Sequence, residues 1–149
     1  MAVSCNNIVL SIVLVAVIVF GILFDLIGTA AITGKESTFH ALNSKRIKGA
    51  KQGIFIIKNA NKISSFCNDI VGDVCGIISG SIGALLSISL ATTTGFNNTI
   101  VSIVIAAFIS AFTVGGKAIF KLVAIKNADK IILNVSKILA IFERSRWKH

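Results

Sequence analysis

The basic residues of this 149-residue chain are confined to two blocks. Seven of its fifteen Lys and Arg residues lie in 35–62, and the other eight lie in 117–149. The stretches 1–34 and 63–116 contain none and consist largely of Ile, Val, Leu, Ala, Gly and Ser. A water-soluble domain spreads its basic residues over the whole surface, whereas the cytoplasmic flanks of membrane spans collect them. The pattern therefore predicts an integral membrane protein with both basic blocks in the cytoplasm.

The two apolar stretches have room for three membrane spans. A span needs about 20 mainly apolar residues, and the chain is 54% hydrophobic and only 14% charged, with a mean hydropathy of +0.88. We predict spans over residues 8–33, 63–90 and 100–116, with an uncharged turn at 91–99. The first run has no positive n-region and is longer than a signal-peptide core of about 7–15 residues. We therefore interpret it as a permanent span.

The predicted fold is all-α and forms a single domain over 1–149. Residues 35–62 and 117–149 mix apolar and basic side chains at helical spacing, which is typical of amphipathic helices that lie at the membrane interface. We expect Gly49 and Gly53 to divide the first of these cytoplasmic segments into two short helices. Three spans with both basic segments inside place the N-terminus outside the cell membrane and the C-terminus in the cytoplasm.

The net charge of +9 does not indicate binding to nucleic acid. The basic residues flank apolar spans, and no aromatic stacking pattern accompanies them. Contact with the anionic headgroups of a lipid bilayer explains the charge more simply. The sequence contains no nucleophile–base arrangement, no P-loop and no Gly-x-Gly-x-x-Gly motif, so we do not expect an enzyme.

Three of the six acidic residues fall within or at the ends of the predicted spans. These are Asp25, Asp69 and Asp73. An ionisable group inside a membrane costs several kcal/mol and persists where it is paired, hydrated or functional. Asp69 and Asp73 are four residues apart and share one face of a helix. Asp25 is also compatible with a position at the level of the cytoplasmic headgroups.

The same face of span two carries glycines at every fourth position. Gly72, Gly76 and Gly80 form a doubled small-x-x-x-small pattern, which lets the backbones of two helices approach closely. Hydroxyls and carboxylates that meet at such a face would offer oxygen ligands, which suit a hard divalent cation such as Mg²⁺. The alternative is packing alone, because glycine patterns often only pack helices and hydroxyls in spans often bond their own backbone.

Two segments of the chain are similar to the transmembrane domain of the CNNM/CorB–CorC family. After span one, that family has Ser-x-x-Glu-Thr-Ala, then Leu and a basic residue, and the spacing is kept here by Thr33, Glu36, Ser37, Leu42 and Arg46. Residues 115–144 resemble the family's Gly-Glu-x-x-Pro-Lys motif and the helix after it, with matches at Gly116, Lys121, Ala124, Asn127 and Lys130. Residues 58–65 similarly resemble its entry into span two.

The resemblance implies a homodimer with three spans, an outside N-terminus and a cytoplasmic belt helix, which moves or regulates Mg²⁺. By position, the resemblance implies that Thr29 and Thr33 replace the serines of the family's span one. The Gly-Asn of the family's span two falls at Gly72-Asp73 or, less favoured, at Cys67-Asn68. The residues expected to hold the divalent cation are Thr29, Thr33, Asp69 and Asp73.

The chain also departs from the family. Lys117 stands where the motif glutamate of span three belongs and Phe120 where the motif proline belongs, and the family's CBS pair has no counterpart in these residues. Lys117 opposes Mg²⁺ binding by its charge and is a candidate for a salt bridge or gating: it either closes the pocket by pairing with Asp69 or Asp73, or points to the interface and leaves the pocket free. Asp25 and Glu36 are further candidate site residues. One hypothesis is transport or homeostasis of a divalent cation. The other is a non-transporting membrane scaffold or regulatory subunit. Interior carboxylates argue against a third, a membrane-disrupting protein of the holin type.

Overall fold

A computed structural model describes the backbone of residues 2–95 and 97–146 and the side chains of residues 7–95 and 97–141. Within these residues the chain is all-helical. Between α4 and α5 the helix continues without interruption through a π-helical turn, Phe66–Val71. The α-helices are α1 (Ala2–Thr33), α2 (Glu36–Ser44), α3 (Ala50–Lys58), α4 (Ala60–Ser65), α5 (Gly72–Thr94), α6 (Asn98–Lys126) and α7 (Ala128–Arg146).

Three helical segments are long and apolar enough to cross a membrane, which agrees with the three predicted spans. Their surfaces are apolar: Ile8, Ile103 and Phe112 are 62%, 64% and 66% exposed. Apolar surface of this extent marks contact with lipid or with another protein. The three segments are Asn7–Thr33, Ala60–Thr94 and Asn98–Lys126.

The third segment extends ten residues beyond the predicted end at Gly116. Lys117 and Lys121 lie inside α6, which continues to Lys126; the backbone N–H of the C-cap residue Asn127 donates to the carbonyl of Val123 at 3.0 Å. Charge limits how much of a helix lies in hydrocarbon, but it does not stop the helix itself, because Lys is a good helix former. The first basic residues after the third apolar run therefore do not mark the end of the helix.

Helices α2, α3 and α7 form a compact juxtamembrane layer against the ends of α1 and α6. Its core contains Phe39 (0% exposed), Ile56 (3%) and Ile132 (2%). Gly49 begins α3 with a φ of 90°, as the expected break requires. Gly53, which we also expected to break the helix, lies inside α3. A Cβ at Gly53 would overlap the ring of Phe39, so this glycine makes room for the aromatic core.

Asp129 ties the start of α2 to the start of α7. Its Oδ1 accepts a hydrogen bond from the backbone N–H of Lys35 at 2.9 Å, and its Oδ2 accepts one from the hydroxyl of Thr38 at 2.9 Å. The N-cap position of α2 has no side-chain cap of its own. A residue more than 90 positions away in sequence therefore takes the place of a local cap.

The bundle of α1, α5 and α6 has a smaller core. Leu14, Ile82 and Leu86, at 9%, 9% and 6% exposed, form its apolar cluster. Polar contacts between the helices are made by small side chains, such as the hydroxyl of Ser102 donating to the hydroxyl of Ser87 at 3.0 Å. Small residues allow close helix packing where lipid gives no hydrophobic drive between helices.

Candidate functional site

The second membrane segment departs from α-helical geometry at the π-helical turn, Phe66–Val71. A π-turn changes the direction of every side chain that follows it and disturbs the regular use of backbone carbonyls. Such turns occur frequently at functional sites. This turn packs against α1, and the contact between the two elements is the candidate functional site.

Gly28 of α1 allows the two backbones to come together. A Cβ at Gly28 would overlap the Oδ1 of Asn68 and lie 3.1 Å from the Cβ of Cys67. Any larger residue at this position would displace the amide of Asn68. The glycine therefore holds a polar side chain of the π-helical turn directly against the backbone of α1.

We use the name polar centre for Thr29, Ser64 and Asn68, three polar side chains of these two neighbouring elements and of α4; Asn68 lies against Gly28, the residue before Thr29 in α1. Thr29 is 6% exposed and Ser64 is 5% exposed. The Nδ2 of Asn68 donates to the hydroxyl of Ser64 at 3.2 Å. The Oδ1 of Asn68 and the Oγ1 of Thr29 are buried without a hydrogen-bond partner. An unsatisfied buried oxygen costs about 1–3 kcal/mol, so a water or a cation beside either of these atoms would be stabilised.

Only one of the four predicted cation ligands belongs to the polar centre, namely Thr29. Thr33 lies one turn further along α1, and its hydroxyl donates to the carbonyl of Thr29 at 2.8 Å. Asp69 and Asp73 are exposed, and neither makes a hydrogen bond or ion pair with a residue that the structure describes. Among those residues no group of three His, Cys, Asp or Glu side chains is placed to hold a metal ion.

Lys117 projects from α6 toward the π-helical turn. Its Nζ would lie 3.3 Å from a Cβ built at Gly72, and the carbonyl of Cys67 would lie 3.9 Å from the same Cβ. The salt bridge from Lys117 to Asp69 or Asp73, one of the two alternatives, is not formed: no carboxylate that the structure describes lies within 4.0 Å of the ammonium. Both aspartates are exposed.

The two other acidic candidates have different surroundings. Glu36 is exposed in the juxtamembrane layer, where its Oε1 lies 3.1 Å from the Nε2 of His40 and 3.8 Å from the Nζ of Lys58. Asp25 is half-buried in α1 and has no hydrogen bond or ion pair to another described side chain. Neither residue therefore pairs with Lys117.

The glycine series of α5 divides into two parts. A Cβ at Gly76 or Gly80 would meet no atom within 4 Å, whereas one at Gly83 would overlap the side chain of Ile109 of α6. A cleft of about 420 Å³ between α5 and α6 runs past these glycines. Within one chain, α5 therefore approaches α6 closely at Gly83 and not at Gly76 or Gly80, where close packing was expected. Contact through Gly76 and Gly80 stays a prediction that requires a second chain.

Sequence reasoning gave most weight to the aspartates and little to Ser64 and Asn68. The signal for Ser64 and Asn68 was their four-residue spacing, which puts both side chains on one helical face. The direction of that face relative to the neighbouring helices could not be predicted from the sequence. Such a prediction assumes a regular 3.6-residue period, and a π-helical turn breaks this period. Asn68 consequently faces α1, while its neighbour Asp69 is exposed.

Comparisons of the chain with models of protein families, with curated proteins and with solved structures each give no match. A functional assignment therefore depends on the polar centre, on Lys117 and on the motifs described above.

Proposed function

We propose that the chain is a membrane protein of the CNNM/CorB–CorC type that takes part in transport or homeostasis of Mg²⁺ or another divalent cation. The observation that carries the proposal is the pair of buried oxygens without partners, Thr29 Oγ1 and Asn68 Oδ1. They belong to adjacent elements, α1 and the π-helical turn, and hard oxygen donors are the ligands that Mg²⁺ prefers.

The chemistry of this centre is the partial replacement of a cation's hydration shell. Mg²⁺ dehydrates reluctantly and usually keeps several waters, so Thr29, Ser64 and Asn68 would contact the ion directly or through its waters. All three side chains are neutral, and the nearby aspartates are exposed. A site of neutral oxygens binds a divalent cation weakly. Weak binding suits an ion that must enter and leave, as conduction requires.

A non-transporting membrane scaffold or regulatory subunit is the second candidate, and the position of Lys117 favours it. The ammonium lies beside Gly72, at the end of the π-helical turn. A positive charge there repels a divalent cation, and no described carboxylate neutralises it. In this hypothesis Lys117 occupies the place of the cation, and the fold is kept for assembly with other membrane proteins.

Substitution Lys117→Glu separates the two candidates. We expect millimolar MgCl₂ to raise the thermal unfolding temperature of the detergent-purified protein relative to NaCl of equal ionic strength. At tenfold excess over Kd, a ligand that binds only the folded state stabilises it by about 1.4 kcal/mol. Lys117→Glu should enlarge this Mg²⁺ effect, because it removes the repelling charge and adds a carboxylate.

Amide substitutions locate the site. Asn68→Leu should abolish the Mg²⁺ effect, whereas Asn61→Leu, at an exposed position of α4, should retain it. Loss of the effect in Asp73→Asn, with Asn68→Leu unaffected, would return the site to the aspartates that the sequence suggested. Melting that is indifferent to Mg²⁺ in the wild type and in Lys117→Glu alike would exclude the transport proposal and leave the scaffold.

A further inference from the structure

An open groove of about 1120 Å³ lies in the juxtamembrane layer between the start of α3 and the C-terminal half of α7. Arg46, Lys48 and Lys51 line it from the α2–α3 connection and the first turn of α3, and Lys137 lines it from α7. No acidic residue is among the described side chains that line the groove. The groove is therefore a concentrated positive site.

The four basic side chains of the groove are not neutralised within the described part of the chain. Ion pairs there are confined to Glu36, which pairs with His40 and Lys58. Like charges that surround one concavity repel each other and raise the local concentration of counter-ions. This arrangement is stabilised when an anion occupies the groove.

The backbone brings the charges together. Gly49 has a φ of 90°, and a Cβ at this position would lie 3.0 Å from the backbone nitrogen of Lys137. A glycine is required both for the left-handed conformation and for the close approach of α7. Lys137 is thereby fixed next to the connection that carries Arg46 and Lys48. Tertiary packing thus adds Lys137 to three basic residues that lie close together in sequence.

The groove also has an apolar side. Ile47 is 37% exposed and Ile141 is 70% exposed, and both line the groove together with the basic residues. A small soluble anion gains nothing from exposed isoleucines, whereas an amphipathic one does. The position fits the same class of ligand, since α7 follows the apolar helix α6 after the single residue Asn127. The groove therefore belongs to the layer that packs against the ends of α1 and α6.

We propose that this groove binds an anionic phospholipid, with the headgroup phosphate among the four basic side chains and the upper acyl chain against Ile47 and Ile141. The proposal goes beyond the function proposed above and does not depend on transport of a divalent cation. It turns general attraction to an anionic bilayer, worth about 1 kcal/mol for each basic residue near the surface, into binding at one defined site.

The test is lipid binding to the full chain, purified in detergent and titrated with phosphatidylglycerol or phosphatidylcholine under native mass spectrometry. The triple variant Lys48→Gln, Lys51→Gln and Lys137→Gln should bind phosphatidylglycerol at least about tenfold more weakly. Its binding of phosphatidylcholine should not change.

A control variant carries the same change of net charge outside the groove. Lys62→Gln, Lys126→Gln and Lys130→Gln alter exposed positions that do not line it, and this variant should bind phosphatidylglycerol as the wild type does. Equal losses in the two triple variants would mean general electrostatic attraction and would overturn the proposal.

Further measurements distinguish a bound phospholipid from other anions. Ile141→Ser should weaken phosphatidylglycerol binding. If it has no effect and inorganic phosphate displaces the lipid, the groove is a site for a soluble anion and the proposal is wrong. It is also wrong if a polyglutamate peptide binds where phosphatidylglycerol does not, since the groove would then receive a protein.

A matched pair on one helix keeps the proposal testable if the triple variant does not fold. Lys137→Glu lines the groove and Lys130→Glu does not, although both positions are exposed on α7. Selective loss of phosphatidylglycerol binding in Lys137→Glu supports the site. Equal binding by the two variants contradicts it.

Discussion

The three-helix bundle and the juxtamembrane layer are built from the same chain but bury very different parts of it. In the bundle, the apolar residues of the main core remain 6–9% exposed, and large side chains such as Phe112 face outward. In the layer, Phe39 and Ser136 are completely buried. The bundle has the apolar exterior expected in lipid, whereas the layer has a fully buried apolar core although side chains such as Ile141 remain 70% exposed.

This difference implies different sources of stability. Removing apolar surface from water contributes about 25 cal/mol per Å², and that term acts in the layer. Between helices in lipid it is absent, so association depends on close packing and on polar contacts. The glycines of the bundle fit this account: Gly28 admits Asn68, Gly83 admits Ile109, and a Cβ at Gly21 would lie 3.1 Å from the Cβ of Cys75.

The largest loss of stability is expected from a large-to-small substitution in the core of the juxtamembrane layer. Phe39→Ala removes a ring that is 0% exposed and leaves a cavity, so it should lower the free energy of unfolding by about 3–5 kcal/mol. Denaturant titration in detergent micelles, followed by circular dichroism, measures the change. Phe112→Ala, at a side chain that is 66% exposed on α6, should change stability by less than about 1 kcal/mol.

The comparison would fail if the two alanine variants lost equal stability, or if Phe112→Ala lost more. Either result would mean that α6 buries its aromatic face against a partner and that the bundle has a core which a single chain does not contain.

Segregated charge and long apolar runs were enough to predict an all-helical chain with three helices of spanning length, because both follow directly from the cost of placing charge in hydrocarbon. The same rule did not predict helix ends. The helix through Lys117 and Lys121 continues to Lys126, since helix propensity and membrane depth are independent properties. The sequence likewise predicted a boundary at Gly49 but could not show that Gly53 serves the ring of Phe39.

The candidate site was less predictable for two physical reasons. In a regular helix, Asp69 and Asp73 would share a face with the glycines. The π-helical turn alters the helical phase, and the side chain that faces α1 is that of Asn68. Asp129 caps the start of α2 through hydrogen bonds between segments more than 90 residues apart. A single sequence carries no signal for such a pair. Thr29 was named as a cation ligand through the family resemblance; its burial in α1 is observed, and its role as a ligand stays a prediction.

The glycine series offers a second and smaller test, directed at the bundle. Gly83→Leu should force Ile109 to move and destabilise the chain by about 1–3 kcal/mol. Gly76→Leu should cost much less, because no atom lies within 4 Å of its Cβ position. Thermal unfolding and size-exclusion chromatography in detergent measure the two effects. If Gly76→Leu also dissociates a dimer, the cleft between α5 and α6 is the contact surface of the homodimer that the family resemblance implies.

The smallest effect is expected where the layer depends on hydrogen bonds instead of apolar burial. Asp129→Asn keeps the size of the side chain but weakens the two bonds to Lys35 and Thr38, so it should cost about 1–2 kcal/mol. A double-mutant cycle with Thr38→Val isolates the second bond, and its coupling energy should be about 0.5–1.5 kcal/mol. A coupling energy near zero would show that Asp129 acts only on the backbone of Lys35. A loss as large as that of Phe39→Ala would show instead that Asp129 determines whether α2 docks on α7 at all, and that the layer depends on this link as much as on its apolar core.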